Sequence, residues 1–267
     1  MKKILLMLYF VFFILFSPLT KISFACSFNC VGTFEKDNKY GIKTTSHSGF
    51  KTHEFYSMPK KDYSHKYIKD SSNARAGKAY QRFELRDGDC FYSNGSSWND
   101  CKSDRERFEF SSKPRQKPKG KQCYGYSIKL DKDFQDVAPT NTDLGQVHQI
   151  GGPKGTAGGF KSFPPLIQIG AENNKLLFGW HMLTGDKNNI KDVKIKKTLV
   201  EMHKIRGKWT DISFCLDYKN KKMDAWVNGE KKVQILKSPI NFEPKSTYFK
   251  FGIYRSFVSR YKKIKGK

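Results

Sequence analysis

Short runs in which apolar and polar residues alternate recur along the chain and predict β-strands. The clearest is YFKFGIYRS, residues 248–256, where Phe249, Phe251 and Ile253 share one face and mostly polar residues share the other. Comparable aromatic and β-branched runs are QCYGYSIKL, PLIQIGA, KLLFGWHML and TDISFCLDY. DAWVNGEKKVQI adds a hairpin, because Asn-Gly between alternating segments favours a two-residue turn. No long stretch has a clean helical period, so the pattern predicts an all-β fold with many antiparallel strands.

The first 25 residues form a segment of another kind. Two lysines precede an apolar run over residues 4–16, and Ser-Phe-Ala follows at 23–25, which is the pattern of a signal peptide. The run is too short for a membrane span, so we expect an exported protein, secreted or periplasmic in a bacterium. Cys26 follows the expected cleavage point, and a lipid anchor on it is the alternative. No linker-like stretch divides residues 26–267, which we expect to form a single domain.

The charge of the chain narrows the class of partner. Fifty lysines and arginines stand against 25 acidic residues, a formal net charge of +25. Such a surface attracts polyanions. An exported protein meets acidic polysaccharide more often than nucleic acid, so no nucleic-acid partner is expected. The alternative is a lysine-rich composition without an electrostatic purpose.

Six cysteines in an exported chain predict disulfides. One pair flanks a segment rich in glycine, serine and asparagine and is expected to close that loop. The predicted pairs are Cys90–Cys101, Cys123–Cys215 and Cys26–Cys30. This is one of several possible connectivities. No group of cysteines and histidines has the spacing of zinc ligands, so no metal site is predicted.

Two further segments carry distinctive polar faces. In QRFELRDGD, residues 81–89, Arg82, Glu84 and Arg86 share one face of a predicted strand. Arginine binds carboxylate or sulfate through two parallel hydrogen bonds, and the alternative is a ladder of surface charges. In GQVHQIGG, residues 145–152, a glutamine and a histidine share a face, and the glycine-rich residues that follow predict a mobile loop beside it. Three segments therefore present polar faces, which are formed by Arg82, Glu84 and Arg86; by Gln146 and His148; and by Tyr248, Lys250, Gly252 and Tyr254.

The three motifs R-x-E-L-R, Q-V-H and Y-F-K-x-G-x-Y, in this order, resemble the alginate-lyase-like superfamily of polysaccharide lyases. FKFGIYRS and the WVNGE hairpin are most similar to the heparin lyase I and glucuronan lyase branch. The resemblance implies a β-jelly roll, a concanavalin-like sandwich of two antiparallel sheets with a concave substrate cleft. It also implies β-elimination on a uronic-acid-containing polysaccharide such as heparin, heparan sulfate or glucuronan. Calcium occurs in some relatives; here we expect no required cofactor, and a monomer.

The residue types suit this reaction. A proton beside a carboxylate is weakly acidic, so donors must stabilise the charge that grows when it leaves, and Arg82 and Gln146 are predicted to do so. His148 is the predicted base. Tyr254 is the predicted acid that protonates the departing oxygen. The resemblance also implies an alternative, in which Tyr254 acts as both the base and the acid.

The remaining polar residues are predicted to bind substrate. Lys250 is expected to lower the pKa of Tyr254 and to hold a carboxylate, and Gly252 to leave room for a sugar ring. The other predicted binding residues are Arg86, Glu84, which orients the arginines, and Tyr248.

Two other functions compete with this interpretation. A non-catalytic, lectin-like jelly roll would bind acidic polysaccharide without cleaving it. A glycoside hydrolase would need two suitably spaced carboxylates, and the three motifs offer only Glu84. Within the resemblance, Arg255-Ser256 stands where alginate-specific relatives have asparagine-glutamine, which favours glucuronan or heparin over alginate.

Overall fold

The computed structural model describes residues 34–36, 43–44, 52–55, 61–90, 99–113, 116–150, 164–185, 190–237 and 244–266. The predicted signal peptide, the first two cysteines and the glycine-rich segment 151–159 lie outside these residues.

Fifteen strands are described, together with one short α-helix and a 3-10 turn. The first seven strands are β1 Phe34–Lys36, β2 Lys43–Thr44, β3 Thr52–Phe55, β4 His65–Lys69, β5 Ala79–Phe83, β6 Arg105–Lys113 and β7 Lys121–Lys129. The next four are β8 Asn141–Ile150, β9 Ile167–Glu172, β10 Lys175–Gly185 and β11 Ile190–Glu201. The 3-10 turn Met202–Lys204 is followed by β12 Trp209–Asp217, β13 Lys222–Val227, β14 Glu230–Ile235, β15 Ser246–Ser256 and the helix α1 Val258–Ile264.

Two antiparallel sheets form the sandwich. The larger has seven strands in the order β11-β10-β9-β8-β15-β6-β3, and the smaller has four in the order β14-β13-β12-β7. Strands β1–β2 and β4–β5 form two-stranded sheets. The predicted all-β jelly-roll class is thereby confirmed. The Asn228-Gly229 turn between β13 and β14 has positive φ at both residues, as an Asn-Gly hairpin turn requires.

Aromatic rings from the two sheets meet in the core. Phe178 on β10 and Phe249 on β15 approach Phe214 on β12, with ring centroids 5.9 and 6.2 Å apart. Val147 and Ile167 on the larger sheet are fully buried in the same cluster. One face of the seven-stranded sheet is thus buried in the core. Because side chains alternate along each strand, the polar residues lie on the opposite face.

Strands β4 and β5 pack on the same apolar side of the larger sheet. Phe83 on β5 contacts Phe108 and Phe110 on β6 and Phe251 on β15, at ring-centroid distances of 6.1, 5.7 and 6.0 Å. This second aromatic cluster extends the core and leaves the polar face of the larger sheet on the far side from β5.

Two of the predicted disulfides are present, Cys90–Cys101 and Cys123–Cys215. The second joins directly opposite residues of β7 and β12. None of the helices among the described residues is long and apolar enough to span a membrane.

Candidate active site

Two of the three motifs lie side by side on the polar face of the seven-stranded sheet. In the register of β8 with β15, His148 lies opposite Tyr248 and Gln146 opposite Lys250. Tyr254 continues the same face of β15 beyond Gly252, where the pairing with β8 shifts register. The structure therefore places five of the eight predicted site residues on one face of the sheet.

The neighbour of β15 on its other side contributes three charged residues that the sequence analysis did not select. In RERFEF, Arg105, Arg107 and Glu109 alternate with phenylalanines, and Arg107 lies opposite Tyr254 in the β6–β15 register. The period-two signal was present in the sequence. It was missed because QRFELR, a similar arginine-x-glutamate run, matched the expected motif better.

A buried network of charges joins β6, β8 and β15. Arg107 donates two hydrogen bonds to Asp100, at 2.6 and 2.7 Å, and lies 3.4 Å from Glu109. Lys250 Nζ lies 2.6 Å from the Glu109 carboxylate, which also accepts a hydrogen bond from Gln146. Two cations and two carboxylates thus compensate one another in a region where an unpaired charge is costly.

Lys250 is only 1% exposed, and its ammonium contacts the Glu109 carboxylate. Burial holds the pKa of Lys250 below its ordinary value, although Glu109 acts in the opposite direction. The sequence predicts that Lys250 holds a substrate carboxylate, and it does not predict the ion pair with Glu109.

Tyr254 lies between two arginines. Its hydroxyl accepts a hydrogen bond of 3.0 Å from Arg105 Nε, and the guanidinium carbon of Arg107 is 4.1 Å from its ring centroid. Burial raises the pKa of Tyr254 to about 12, against the opposing effect of Arg107 and Arg105. The cations that act on this tyrosine are therefore arginines of β6, while Lys250 Nζ is 6.0 Å from the ring. The net shift is upward, because burial outweighs the opposing effect of the arginines.

His148 is partly buried and stacks on Tyr248, with ring centroids 5.3 Å apart and an interplanar angle of 29°. Its Nδ1 lies 2.9 Å from the amide nitrogen of Gln149 and 3.1 Å from the carbonyl oxygen of the same residue. Burial, reinforced by the positive charge of Lys250, lowers the pKa of His148 to about 3. The imidazole is therefore neutral across the physiological range.

The R-x-E-L-R segment is not part of the seven-stranded sheet, although the carbonyl oxygen of Arg86 accepts a hydrogen bond of 3.0 Å from Arg255 on β15. Glu84 accepts hydrogen bonds from Arg82 and, at 2.7 Å, from Arg86 Nε, which are the contacts that an orienting role requires. Arg86 also lies over the Tyr63 ring at 3.7 Å.

Arg82 does not join the other predicted site residues. It alternates on β5 with Phe83, and Phe83 packs against the apolar side of β6 and β15. The strand that carries Arg82 is thus separated from His148 and Tyr254 by the seven-stranded sheet. Alternation showed which side chains share one face of β5, but it could not show which side of the larger sheet this strand covers.

Gly252 has φ of 138°, and a Cβ built there would lie 2.2 Å from the carbonyl oxygen of Phe108 and 2.9 Å from Glu109 Cα. The glycine is therefore required by the close approach of β6 at the irregular pairing of β15. The expected space for a sugar ring beside Gly252 stays a prediction.

The polar face continues across β9, β10 and β11. Gln168 donates a hydrogen bond of 2.5 Å to Asp143, and its Oε1 is 3.0 Å from His181 Nε2. Burial raises the pKa of Asp143 to about 6. Lys194 pairs with His181 in the β10–β11 register, which adds a basic residue beyond the network.

No three histidine, cysteine or acidic side chains group as metal ligands in the part of the chain that the structure describes.

The register also sets the spacing of the two predicted catalytic residues. Tyr254 lies opposite Asp143, which is five residues from His148 along β8 and therefore roughly 17 Å away at the strand level. Both side chains must lean toward Lys250 to reach one sugar ring. In the structure the Tyr254 hydroxyl instead contacts Arg105, the first residue of β6.

The chain is similar to known polysaccharide lyases in sequence and in fold. A model of the polysaccharide lyase family matches residues 35–266. No curated protein matches the sequence. Among solved structures, an endo-β-1,4-glucuronan lyase from the fungus Trichoderma reesei has a TM-score of 0.54 at 15% identity, over 76% of this chain and 83% of that chain. For a family 7 alginate lyase the match covers 84% of each chain at 15% identity, with a TM-score of 0.42.

Proposed function

The chain belongs to the polysaccharide lyase family, and we propose that it cleaves a uronic-acid-containing polysaccharide by β-elimination. Heparin, heparan sulfate and glucuronan are the candidate substrates. The observation that carries the proposal is the polar face shared by Gln146, His148, Lys250 and Tyr254. It combines a neutral imidazole, a protonated phenol and buried cations on one surface of a strongly basic protein.

In the proposed step, His148 removes the proton from C5 of the uronate. The electron pair of that C–H bond forms the C4–C5 double bond, and the bond from C4 to the glycosidic oxygen breaks. Tyr254 gives its phenolic proton to the departing oxygen. The imidazolium then returns a proton to the tyrosinate through solvent, which restores the enzyme.

The charge that develops on the uronate carboxylate needs donors. Gln146 uses one amide hydrogen on Glu109, and an amide group has a second to offer. Arg107 takes the place predicted for Arg82, because it lies beside Tyr254 while Arg82 lies behind the sheet.

Substrate binding adjusts the two reacting groups in the required directions. In the free protein, Lys250 and Arg107 both lower the pKa of His148. A bound carboxylate offsets these charges and makes the imidazole a stronger base. The same negative charge keeps Tyr254 protonated, which suits an acid, and this division of roles is favoured over Tyr254 acting alone.

The same proposal places the protein outside the cytoplasm. The two disulfides support an oxidising compartment, and the amino-terminal pattern of residues 1–25 supports export to the periplasm or the medium.

An ultraviolet absorbance assay tests the activity and the two roles. Wild-type protein is incubated with glucuronan, heparin, heparan sulfate, alginate and pectate, and elimination leaves an absorbing unsaturated uronate at each new end. Absorbance is expected to rise on glucuronan or a heparin-type polymer. His148→Ala and Tyr254→Phe are expected to slow the rise by about 10²- to 10⁴-fold. His203→Ala, an exposed histidine on the 3-10 turn, serves as the matched control.

Two outcomes would contradict the proposal. Binding without an absorbance change on every polymer would favour the lectin-like alternative. Full activity of both variants would exclude the assigned roles and direct attention to other residues of the polar face.

A further inference from the structure

The disulfide Cys90–Cys101 lies next to the arginine that supports Tyr254. The residue before each cysteine contacts Arg107: the carbonyl oxygen of Asp89 accepts the Arg107 amide at 3.1 Å, and the Asp100 carboxylate accepts two guanidinium hydrogen bonds. The disulfide thus joins the two points at which the loop holds this residue.

These contacts are buried. Asp100 is 0% exposed and Arg107 is 6% exposed. The two parallel hydrogen bonds fix the plane of the guanidinium as well as its position. The plane matters here because the guanidinium carbon of Arg107 lies 4.1 Å from the Tyr254 ring centroid.

The backbone on both sides of the disulfide is also attached to β6. The amide of Gly88 donates to Glu106 Oε1 at 2.6 Å, and the Asp100 carbonyl accepts the Arg105 amide at 2.9 Å. The loop is therefore held to β6 at several points, and the disulfide is the covalent bond that keeps its two ends together.

We propose that Asp89, Asp100 and the Cys90–Cys101 disulfide act as a clamp that positions Arg107 against Tyr254, so that turnover depends on this disulfide. The inference rests on the proposed role of Tyr254 and extends it to regulation of the same site. Asp100 is a positioning residue, because it acts on the tyrosine through Arg107. Reduction by an external dithiol, which supplies two electrons and two protons and becomes a disulfide itself, opens the clamp.

The chain offers a control for each part of the clamp. Asp211 on β12 and Arg75, between β4 and β5, form a second bidentate aspartate–arginine pair, at 2.9 and 2.5 Å, which is exposed and therefore controls for the charge change alone. Cys123–Cys215 is a second disulfide, on the four-stranded sheet. Asp100→Asn is therefore compared with Asp211→Asn. Replacement of Cys90 and Cys101 by serine is compared with replacement of Cys123 and Cys215 by serine.

Two readouts are measured on the full chain, below the unfolding temperature of every variant. The first is kcat and KM on the cleaved polymer. Opening the clamp is expected to lower kcat by at least about tenfold with KM within about twofold, since small misplacements of catalytic groups are costly. The second readout needs no substrate. It is the NMR signal of Tyr254 in protein with ¹³C-labelled tyrosine, and this signal is assigned by its loss in Tyr254→Phe. It is expected to move in both clamp variants and in neither control.

The proposal is overturned if folded clamp variants keep the wild-type Tyr254 signal. Equal shifts and equal losses of kcat on removing either disulfide would also overturn it, since they would indicate a general loosening of the sandwich. If wild-type protein cleaves none of the polymers, the proposed function fails, and the Tyr254 signal alone decides whether the clamp exists.

Discussion

Two side chains on the polar face, the buried Asp143 and the partly buried His148, respond to acid in opposite directions. His148 has a pKa lowered to about 3, so between pH 6.5 and about 3 the unfolded chain binds more protons at this residue, and stability falls as pH falls. Asp143 has a pKa raised to about 6 from 3.8, so in that interval the folded chain binds more protons and stability rises as pH falls. The two effects largely cancel between about pH 6 and 4.

Single substitutions are expected to separate these contributions. Asp143→Asn leaves the histidine effect uncompensated, so the free energy of unfolding should fall more steeply with acid than in wild type. His148→Asn should have the reverse effect. Each slope is expected to change by up to about 1.4 kcal/mol per pH unit. Urea unfolding at several values between pH 6 and 4 measures this, and identical slopes in the three proteins would contradict both pKa shifts.

At the scale of elements, β15 organises the site because it pairs with β8 on one side and β6 on the other. Its core face holds Phe249 and Phe251, and its polar face holds Lys250 and Tyr254. The strand can carry both only with the local irregularity at Gly252. The site therefore depends on one backbone conformation as well as on its side chains.

Gly252→Ala is expected to destabilise the protein by about 3 kcal/mol or more, because the added methyl meets the backbone of β6 at a positive φ. Gly179 on β10 is the matched control: a Cβ there first meets the flexible end of Lys194 at 3.4 Å, and its nearest backbone atom is at 3.7 Å. Gly179→Ala should fold with nearly unchanged stability. Thermal unfolding compares the two, and equal stability of both variants would refute the structural role assigned to Gly252.

The elements also show how far the sequence could predict the site. Alternation identified β15 and β8 and the residues that share their faces, since a period of two is a local property. It could not choose between QRFELR and RERFEF, which both present arginine and glutamate on one strand face. That choice depends on which side of the seven-stranded sheet each strand occupies, and hence on the contacts of Phe83 with Phe108 and Phe251.

At the scale of the whole molecule, one layer is specialised for stability and one surface for chemistry. The four-stranded sheet and β4–β5 bury the apolar face of the larger sheet, and the other face carries the charge network and the basic residue Lys194. A net charge of +25 draws an anionic polymer toward the whole surface. The same net charge would serve binding alone, so the reaction itself has to be identified.

The most direct test is to cleave the active polymer in water enriched in oxygen-18 and to weigh the oligosaccharide products by mass spectrometry. Elimination breaks the C4–oxygen bond without adding water. Products weighed before the anomeric oxygen exchanges with solvent are therefore expected to carry no oxygen-18 and to include an end one water lighter than a hydrolysis product. Incorporation of one oxygen-18 atom per bond cleaved, with no unsaturated end, would demonstrate hydrolysis and contradict the roles assigned to His148 and Tyr254.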